Sequence, residues 1–156
     1  MQISLATSSD IADLVGLLSL LFTQELEFTA DTQAQTAAVT QIINNPAIGH
    51  IIVARIGGRA VAMVNLLYTV STATGGKVCL LEDMIVAENS RNQSIGKQLL
   101  EYTIAHAKQA GCGRITLLTD TTNINAQRFY KQFGFKNSAM LPMRLFLDVS
   151  TPTNAE

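Results

Sequence analysis

A change of period part-way along the chain limits its fold more than any other feature. Ile51–Ile56 and Arg59–Val70 are β-rich runs separated by Gly57-Gly58, a pair that supplies the positive φ of a tight hairpin turn. Ser71–Gly76 reads as a loop and Lys77–Val86 as a third long strand, so this part is an antiparallel meander. The spacing then switches from two to 3.6. Ile95, Leu99, Leu100, Thr103, Ile104 and Ala107 make one buried stripe of a helix over Ser94–Ala110, which Gly111 ends. Arg114–Thr119 follows as a compact strand. Strand, turn, helix, strand is a βαβ unit with parallel pairing and a right-handed crossover. A meander running into such a unit predicts a mixed sheet covered by helices, of the α+β class.

The flanks add to this frame. Gln2–Ala6 reads as a short strand, Thr7–Asp10 as a helix-start cluster, and Ile11, Leu14, Val15, Leu18, Leu21 and Phe22 as the apolar face of a helix ending near residue 24. A polar link, Glu25–Asp31, leads to a second helix over Thr32–Asn44. A short helix near Asn125–Phe133 stops at Gly134, and Phe135–Ser138 and Met143–Val149 read as closing strands. The sum is a mostly antiparallel central sheet of about six to seven strands with about four helices. At 156 residues the chain is expected to be one domain over residues 1–150, with a frayed tail at 151–156.

Charged residues are only 15% of the chain, which excludes a disordered tail, a charge-laced coiled coil and a polybasic nucleic-acid module. The apolar run Leu14–Phe22 is too short to span a bilayer and lacks the flanks of a signal peptide, so no membrane partner and a cytoplasmic location are expected. Cys79 and Cys112 have no metal or redox spacing, and His50 and His106 lack partners for a metal site; all four read as structural, and no metal is expected. The charge is unevenly placed. Residues 1–54 hold five acids and no Lys or Arg, whereas residues 55–156 hold seven acids and all eleven basic residues. That division suggests two ligands of opposite sign.

The turn between the third strand and the long helix carries the strongest signal: Val86-Ala87-Glu88-Asn89-Ser90-Arg91-Asn92-Gln93-Ser94-Ile95-Gly96-Lys97. The first N–H groups of a helix have no intrahelical acceptor and carry partial positive charge. Loop and helix N–H groups at Gln93–Lys97 are therefore suited to cradle a phosphate or pyrophosphate, with Gly96 permitting close approach and Arg91 and Lys97 adding charge. This stretch resembles the acyl-CoA-binding motif of the GNAT superfamily of N-acyltransferases, Arg/Gln-x-x-Gly-x-Gly/Ala, which stands here as Arg91-Asn92-Gln93-Ser94-Ile95-Gly96. Ser94 takes the place of the first glycine. If that position needs φ > 0, serine costs about 1–2 kcal/mol there.

A second segment strengthens the resemblance. Asn123-Ile124-Asn125-Ala126-Gln127-Arg128-Phe129-Tyr130-Lys131-Gln132-Phe133-Gly134-Phe135 is similar to the superfamily's Asn-x-x-Ala-x-x-Phe-Tyr-x-x-x-Gly-Phe signature, and it follows the first motif with one strand between. The resemblance covers roughly 51–149. It implies acetyl-CoA as co-substrate, bound by Met84, Ile85 and Val86 at the strand end, by Arg91, Asn92, Gln93, Ser94, Ile95, Gly96 and Lys97 in the turn, and by Asn123 and Ala126.

Glu82 and Asp83 stand side by side in the otherwise apolar run Leu80–Val86. Alternation points them to opposite faces, and a buried carboxylate needs a partner: either an ion pair, with Arg114 or Arg144 the candidates, or a function. A Leu-Glu-Asp run here looks like that of the polyamine-acetylating branch, which implies Glu82 as base for the amine and Asp83 as a holder of cationic substrate. Glu82, its pKa raised by an apolar site, would take the amine proton. A backbone N–H near Ile85 or Val86 would polarise the thioester carbonyl, and Tyr130, with an ordinary pKa of about 10, would protonate a thiolate of pKa about 8.5.

The expected reaction is acetyl transfer from acetyl-CoA to a primary amine of a small cationic molecule, by direct attack in a ternary complex. Glu25 and Asp31, with Asp83, are the acids expected to bind that cation. Two alternatives stand beside it: a non-catalytic acyl-CoA-binding regulatory module, and an acetyltransferase of protein lysines or N-termini. A homodimer pairing through the last strand is a further expectation.

Overall fold

The computed structural model describes residues 1–24 and 29–147, which fall into two compact units divided after Leu118. In the first unit, β1 (Gln2–Leu5), β2 (Gly49–Ile56), β3 (Arg59–Ser71), β4 (Gly76–Val86) and β5 (Ile115–Leu117) form one sheet whose spatial order is the chain order. The first three pairings are antiparallel and β4–β5 is parallel. Gly57 and Gly58 take φ 57° and 79° between Ile56 and its partner Arg59, the backbone that a two-residue turn between right-twisting strands requires.

Helices α1 (Ile11–Phe22), α2 (Thr32–Asn44) and α3 (Ile95–Gln109) cover the sheet. Leu14, Leu17 and Leu18 of α1 and Val39 of α2 pack on Ile51, Val53, Met63 and Ile85. The alternate positions Ile52, Val64 and Leu66 are also fully buried, and α3 lies against β2, β3 and β4. Burial of both faces explains why β2 and β3 are nearly continuous apolar runs rather than alternating ones. At Gly49 an added Cβ would sit 2.6 Å from the Leu66 carbonyl oxygen, so β2 begins where only glycine lets the two backbones come this close.

Two ion pairs join the start of α1 to the β2–β3 hairpin. The Asp10 carboxylate accepts from Arg55 Nε (2.7 Å) and Nη2 (2.5 Å) and from the Thr7 N–H (2.7 Å). Asp13 accepts from Arg59 Nε (3.0 Å), from its Nη2, and from the Ala60 N–H (2.9 Å). Two of the five acids of the N-terminal portion are thus matched with the first two arginines that follow. The uneven charge of the chain is in part an internal pairing.

The second unit contains helix α4 (Ile124–Lys131), whose aromatic side chains gather locally: Phe129 meets Tyr130 and Phe133, and Tyr130 meets Phe135, at ring separations of 5.2–5.7 Å. The sheet has fewer strands than the sequence suggests. Phe135–Ser138 and residues 143–147 are irregular, and residues 148–149 lie outside the described chain. Apolar patterning gives a segment the capacity for a strand, but a strand exists only where another edge accepts its hydrogen bonds. None among the described residues does so, and Met140, Leu141, Met143 and Leu145 are each more than 80% exposed. β5 is likewise shorter than the run Arg114–Thr119.

Candidate active site

β4 carries five of the candidate residues, Glu82–Val86, and a bulge decides how it presents them. Asn65 of β3 pairs with Glu82, whereas Met63 pairs with Ile85, so Asp83 and Met84 together oppose Val64. Asp83 takes φ 51°, the left-handed backbone of such an extra residue. The strict alternation expected of Glu82 and Asp83 is therefore broken: Glu82 is exposed and Asp83 half-buried.

The bulge also redirects the backbone. Before it, the Cys79 N–H donates to Arg114 O (3.0 Å), toward β5. Beyond it, the Ala87 N–H donates to Val61 O (2.8 Å), toward β3. Successive residues of an extended strand aim their peptide groups at opposite edges, so the N–H and C=O of Val86 face the β5 side. β5 pairs only with Cys79, Leu80 and Leu81. Past Leu81 that edge of β4 has no strand beside it among the described residues. Arg91 Nε donates to Val86 O (3.1 Å) there, which fixes the orientation independently and leaves the Val86 N–H as the outward donor. Of Ile85 and Val86, the geometry favours Val86.

Eight residues join this edge to α3. Asn92 and Ser94 both take positive φ, 61° and 59°, and Ile95 is buried as the helix anchor. The first α3 bond is Gln98 N–H to Ser94 O (3.1 Å), so the N–H groups before it have no intrahelical acceptor. Left-handed residues set among right-handed ones turn successive N–H groups into a concave, anion-accepting surface. Ser94 does occupy the backbone that glycine favours, and its hydroxyl makes no capping bond. Arg91, Asn92, Gln93 and Lys97 are exposed and Gly96 is half-buried.

In the second unit, Asn123 caps α4: its Oδ1 accepts the Ala126 N–H (3.1 Å). A cofactor contact from Asn123 would fall to its NH₂ group, and the Ala126 N–H is already engaged. Burial pushes the Tyr130 hydroxyl up to about 12, so the phenol holds its proton more firmly than the sequence suggests.

The acids assigned to substrate are spread out. Glu25 lies outside the described residues. Asp31 caps α2, its Oδ1 accepting the N–H groups of Gln33 (3.0 Å) and Ala34 (3.1 Å). Asp83 accepts from Asn65 Nδ2 at 2.5 Å. Among the described residues neither Glu82 nor Arg114 forms an ion pair. Sequence reading passed over Asn65, whose side chain is 4% exposed and whose Oδ1 has no hydrogen-bond partner. An amide in the middle of Met63-Val64-Asn65-Leu66-Leu67 was the available signal.

An open strand edge with an outward N–H thus leads through a left-handed turn into a helix N-terminus. The family model described as Acetyltransferase (GNAT) family matches residues 15–135. The chain belongs to the GNAT acetyltransferase family. It is 28% identical over 133 residues to an aminoalkylphosphonate N-acetyltransferase of Salmonella typhimurium, covering 85% of this chain and 83% of that one. Over 77 residues it is 34% identical to an aminoglycoside N(6')-acetyltransferase type 1 of Serratia marcescens, 49% of this chain and 53% of that one. Among solved structures it resembles a transcriptional regulator from Bacillus halodurans C-125, with a TM-score of 0.78, 27% identity and coverage of 94% and 99%. This GNAT protein is an acyltransferase, of a family that takes acetyl-CoA as co-substrate. No described helix is long and apolar enough to cross a membrane.

Proposed function

We propose that this GNAT enzyme transfers the acetyl group of acetyl-CoA to a primary amine of a small cationic molecule, by direct attack in a ternary complex. The observation that carries the reading is the open edge of β4 ending beside the unclaimed N–H groups of α3. These donors fit the co-substrate: the turn at Gln93–Lys97 suits the pyrophosphate, and the Val86 N–H suits the thioester carbonyl.

The roles follow from the chemistry of amide formation. The amine arrives protonated and must lose a proton before its nitrogen attacks. Glu82, exposed beside the bulge, accepts that proton through water. The Val86 N–H withdraws charge from the carbonyl oxygen during attack. Tyr130 keeps its proton at neutral pH and donates it, or a hydrogen bond, to the departing thiolate. Asp83, held by Asn65, adds negative charge next to Glu82 and favours a cationic acceptor. Support for a small amine comes from relatives named for aminoalkylphosphonates and aminoglycosides.

A thiol-release assay with acetyl-CoA over a panel of amines tests this. Glu82→Gln and Tyr130→Phe are each expected to lower kcat about 100-fold while acetyl-CoA binding survives. Binding of CoA without turnover of any amine would instead favour a regulatory module, a reading supported by the likeness to a solved transcriptional regulator.

A further inference from the structure

The chemistry above makes no use of a polar cluster in the first unit. His50 at the start of β2, Tyr68 on β3 and His106 near the end of α3 bring three heteroatoms together. His50 Nδ1 lies 2.7 Å from Tyr68 Oη, Tyr68 Oη lies 3.2 Å from His106 Nε2, and the two ring nitrogens are 3.3 Å apart. The imidazole rings stand nearly perpendicular, 83° apart, with centroids separated by 4.9 Å. All three residues are half-buried.

Two hydrogen bonds can satisfy all three atoms of this triangle. The phenol hydrogen goes to one nitrogen and the other ring's N–H returns to the phenol oxygen, which leaves the nitrogen–nitrogen edge without its own hydrogen. An ion at the centre also serves all three atoms. A tetrahedral ion with bonds of about 2.0–2.1 Å sets its ligand atoms about 3.3 Å apart, which matches the His50–His106 and Tyr68–His106 separations, while the 2.7 Å His50–Tyr68 contact would open as the ion replaces its hydrogen. Among the described residues no three of His, Cys, Asp and Glu are placed to hold a metal, so the third donor has to be the phenol oxygen.

We propose that His50 Nδ1, His106 Nε2 and Tyr68 Oη form a binding site for one first-row divalent metal ion such as Zn²⁺, with water as the fourth ligand. Burial keeps both imidazoles neutral to lower pH than usual, so their lone pairs are available at neutral pH. Tyr68 is the costly ligand. Burial, then the neighbouring Cys112 and Cys79, push its hydroxyl up to about 12. The ion must displace that proton, so binding releases it to solvent and weakens on acidification. Lys77 Nζ, 4.9 Å from the Tyr68 ring centroid, adds a positive charge that opposes the ion. Nitrogen and phenolate donors select Zn²⁺ or Cu²⁺ over Mg²⁺. The bound ion would join the start of β2 to β3 and the end of α3.

Titration calorimetry of the tag-free full chain with Zn²⁺, and separately with Mg²⁺, tests the site. One Zn²⁺ per chain is expected and no Mg²⁺. His106→Gln should weaken Zn²⁺ by more than about 100-fold, since even outer-shell changes cost about 10–100-fold. The exposed control Glu101→Gln should leave affinity unchanged. The wild-type protein supplies a check that needs no variant: long-range ¹H–¹⁵N spectra should show Zn²⁺ shifting Nδ1 of His50 and Nε2 of His106 together. Absence of Zn²⁺ binding, affinity retained in His106→Gln, or imidazole resonances unmoved by Zn²⁺ would each overturn the proposal.

Discussion

Replacing Ser94 isolates the strain stored where α3 begins. The residue sits at φ 59°, ψ 15°, is exposed, and makes no capping bond with its hydroxyl. An L-residue there costs about 1–2 kcal/mol, which glycine avoids. Glycine in turn gives the unfolded chain extra freedom, about 0.5–1 kcal/mol. The difference makes Ser94→Gly more stable by about 0.5–1 kcal/mol, or about 1–4 °C in Tm for a chain of this length. Alanine keeps the backbone cost and loses no bond, so Ser94→Ala should stay within about 0.5 kcal/mol of the parent. Valine, branched at Cβ, meets the left-handed backbone worst and should lose a further 1–2 kcal/mol or so. Urea unfolding of the four proteins therefore orders them Gly, then Ser and Ala together, then Val. A glycine variant no more stable than the parent, or a valine variant equal to it, would refute the assignment of strain to this backbone.

Asp10→Asn should cost about 3–5 kcal/mol at pH 7, because it leaves the Arg55 guanidinium, only 14% exposed, without its anion. The hydrogen-bonded Arg55 holds the Asp10 carboxyl below its ordinary 3.8, against the opposing effect of burial. The stabilisation is therefore complete above that value and lost as pH falls through the lower folded one, and urea unfolding at pH 7, 5 and 3 should show the gap between variant and parent narrowing only at the acid end. Gly49→Ala places a Cβ 2.6 Å from a backbone oxygen and should destabilise by about 1–3 kcal/mol in the same assay, with no change in m. With its hydroxyl near 12, Tyr130 stays protonated through pH 10, so the profile of kcat/KM should show no falling limb from this group below about pH 10; a limb removed by Tyr130→Phe at lower pH would contradict it.

What the sequence made legible is local. The Gly57-Gly58 turn, the apolar stripe of α3 and the polar stretch between β4 and α3 each carry their own signal, so β2, β3, β4 and α3 end within about two residues of their expected limits. Ser94 was legible too, as a serine standing where the motif has glycine. Features that depend on register were not. The bulge at Asp83 exists only because Asn65 and Met63 pair across it, and no pattern within Leu80–Val86 announces an extra residue. The Asp10–Arg55 and Asp13–Arg59 pairs join residues about 45 apart, and charge counts taken along the chain read them as separate surfaces. The convergence of His50, Tyr68 and His106 likewise needs three elements in place. Phe135–Val149 fails in the opposite direction: its composition suits strands, and no described edge receives them.

The brevity of β5 bears on how long the β4–α3 turn stays assembled. Three residues, Ile115–Leu117, attach the far end of the α3 crossover to the sheet, whereas β2, β3 and β4 are locked by long antiparallel ladders. Native proteins open in cooperative pieces, and the piece with the fewest buried contacts opens at the lowest free energy. Release of β5 frees one end of α3 while the meander stays folded. The turn between the bulged strand and α3 then has a lifetime set by the shortest strand in the sheet, not by global stability. A ligand bridging the turn and β4 would slow that opening, and the amide protons of Ile115, Thr116 and Leu117 would be the first to register its presence.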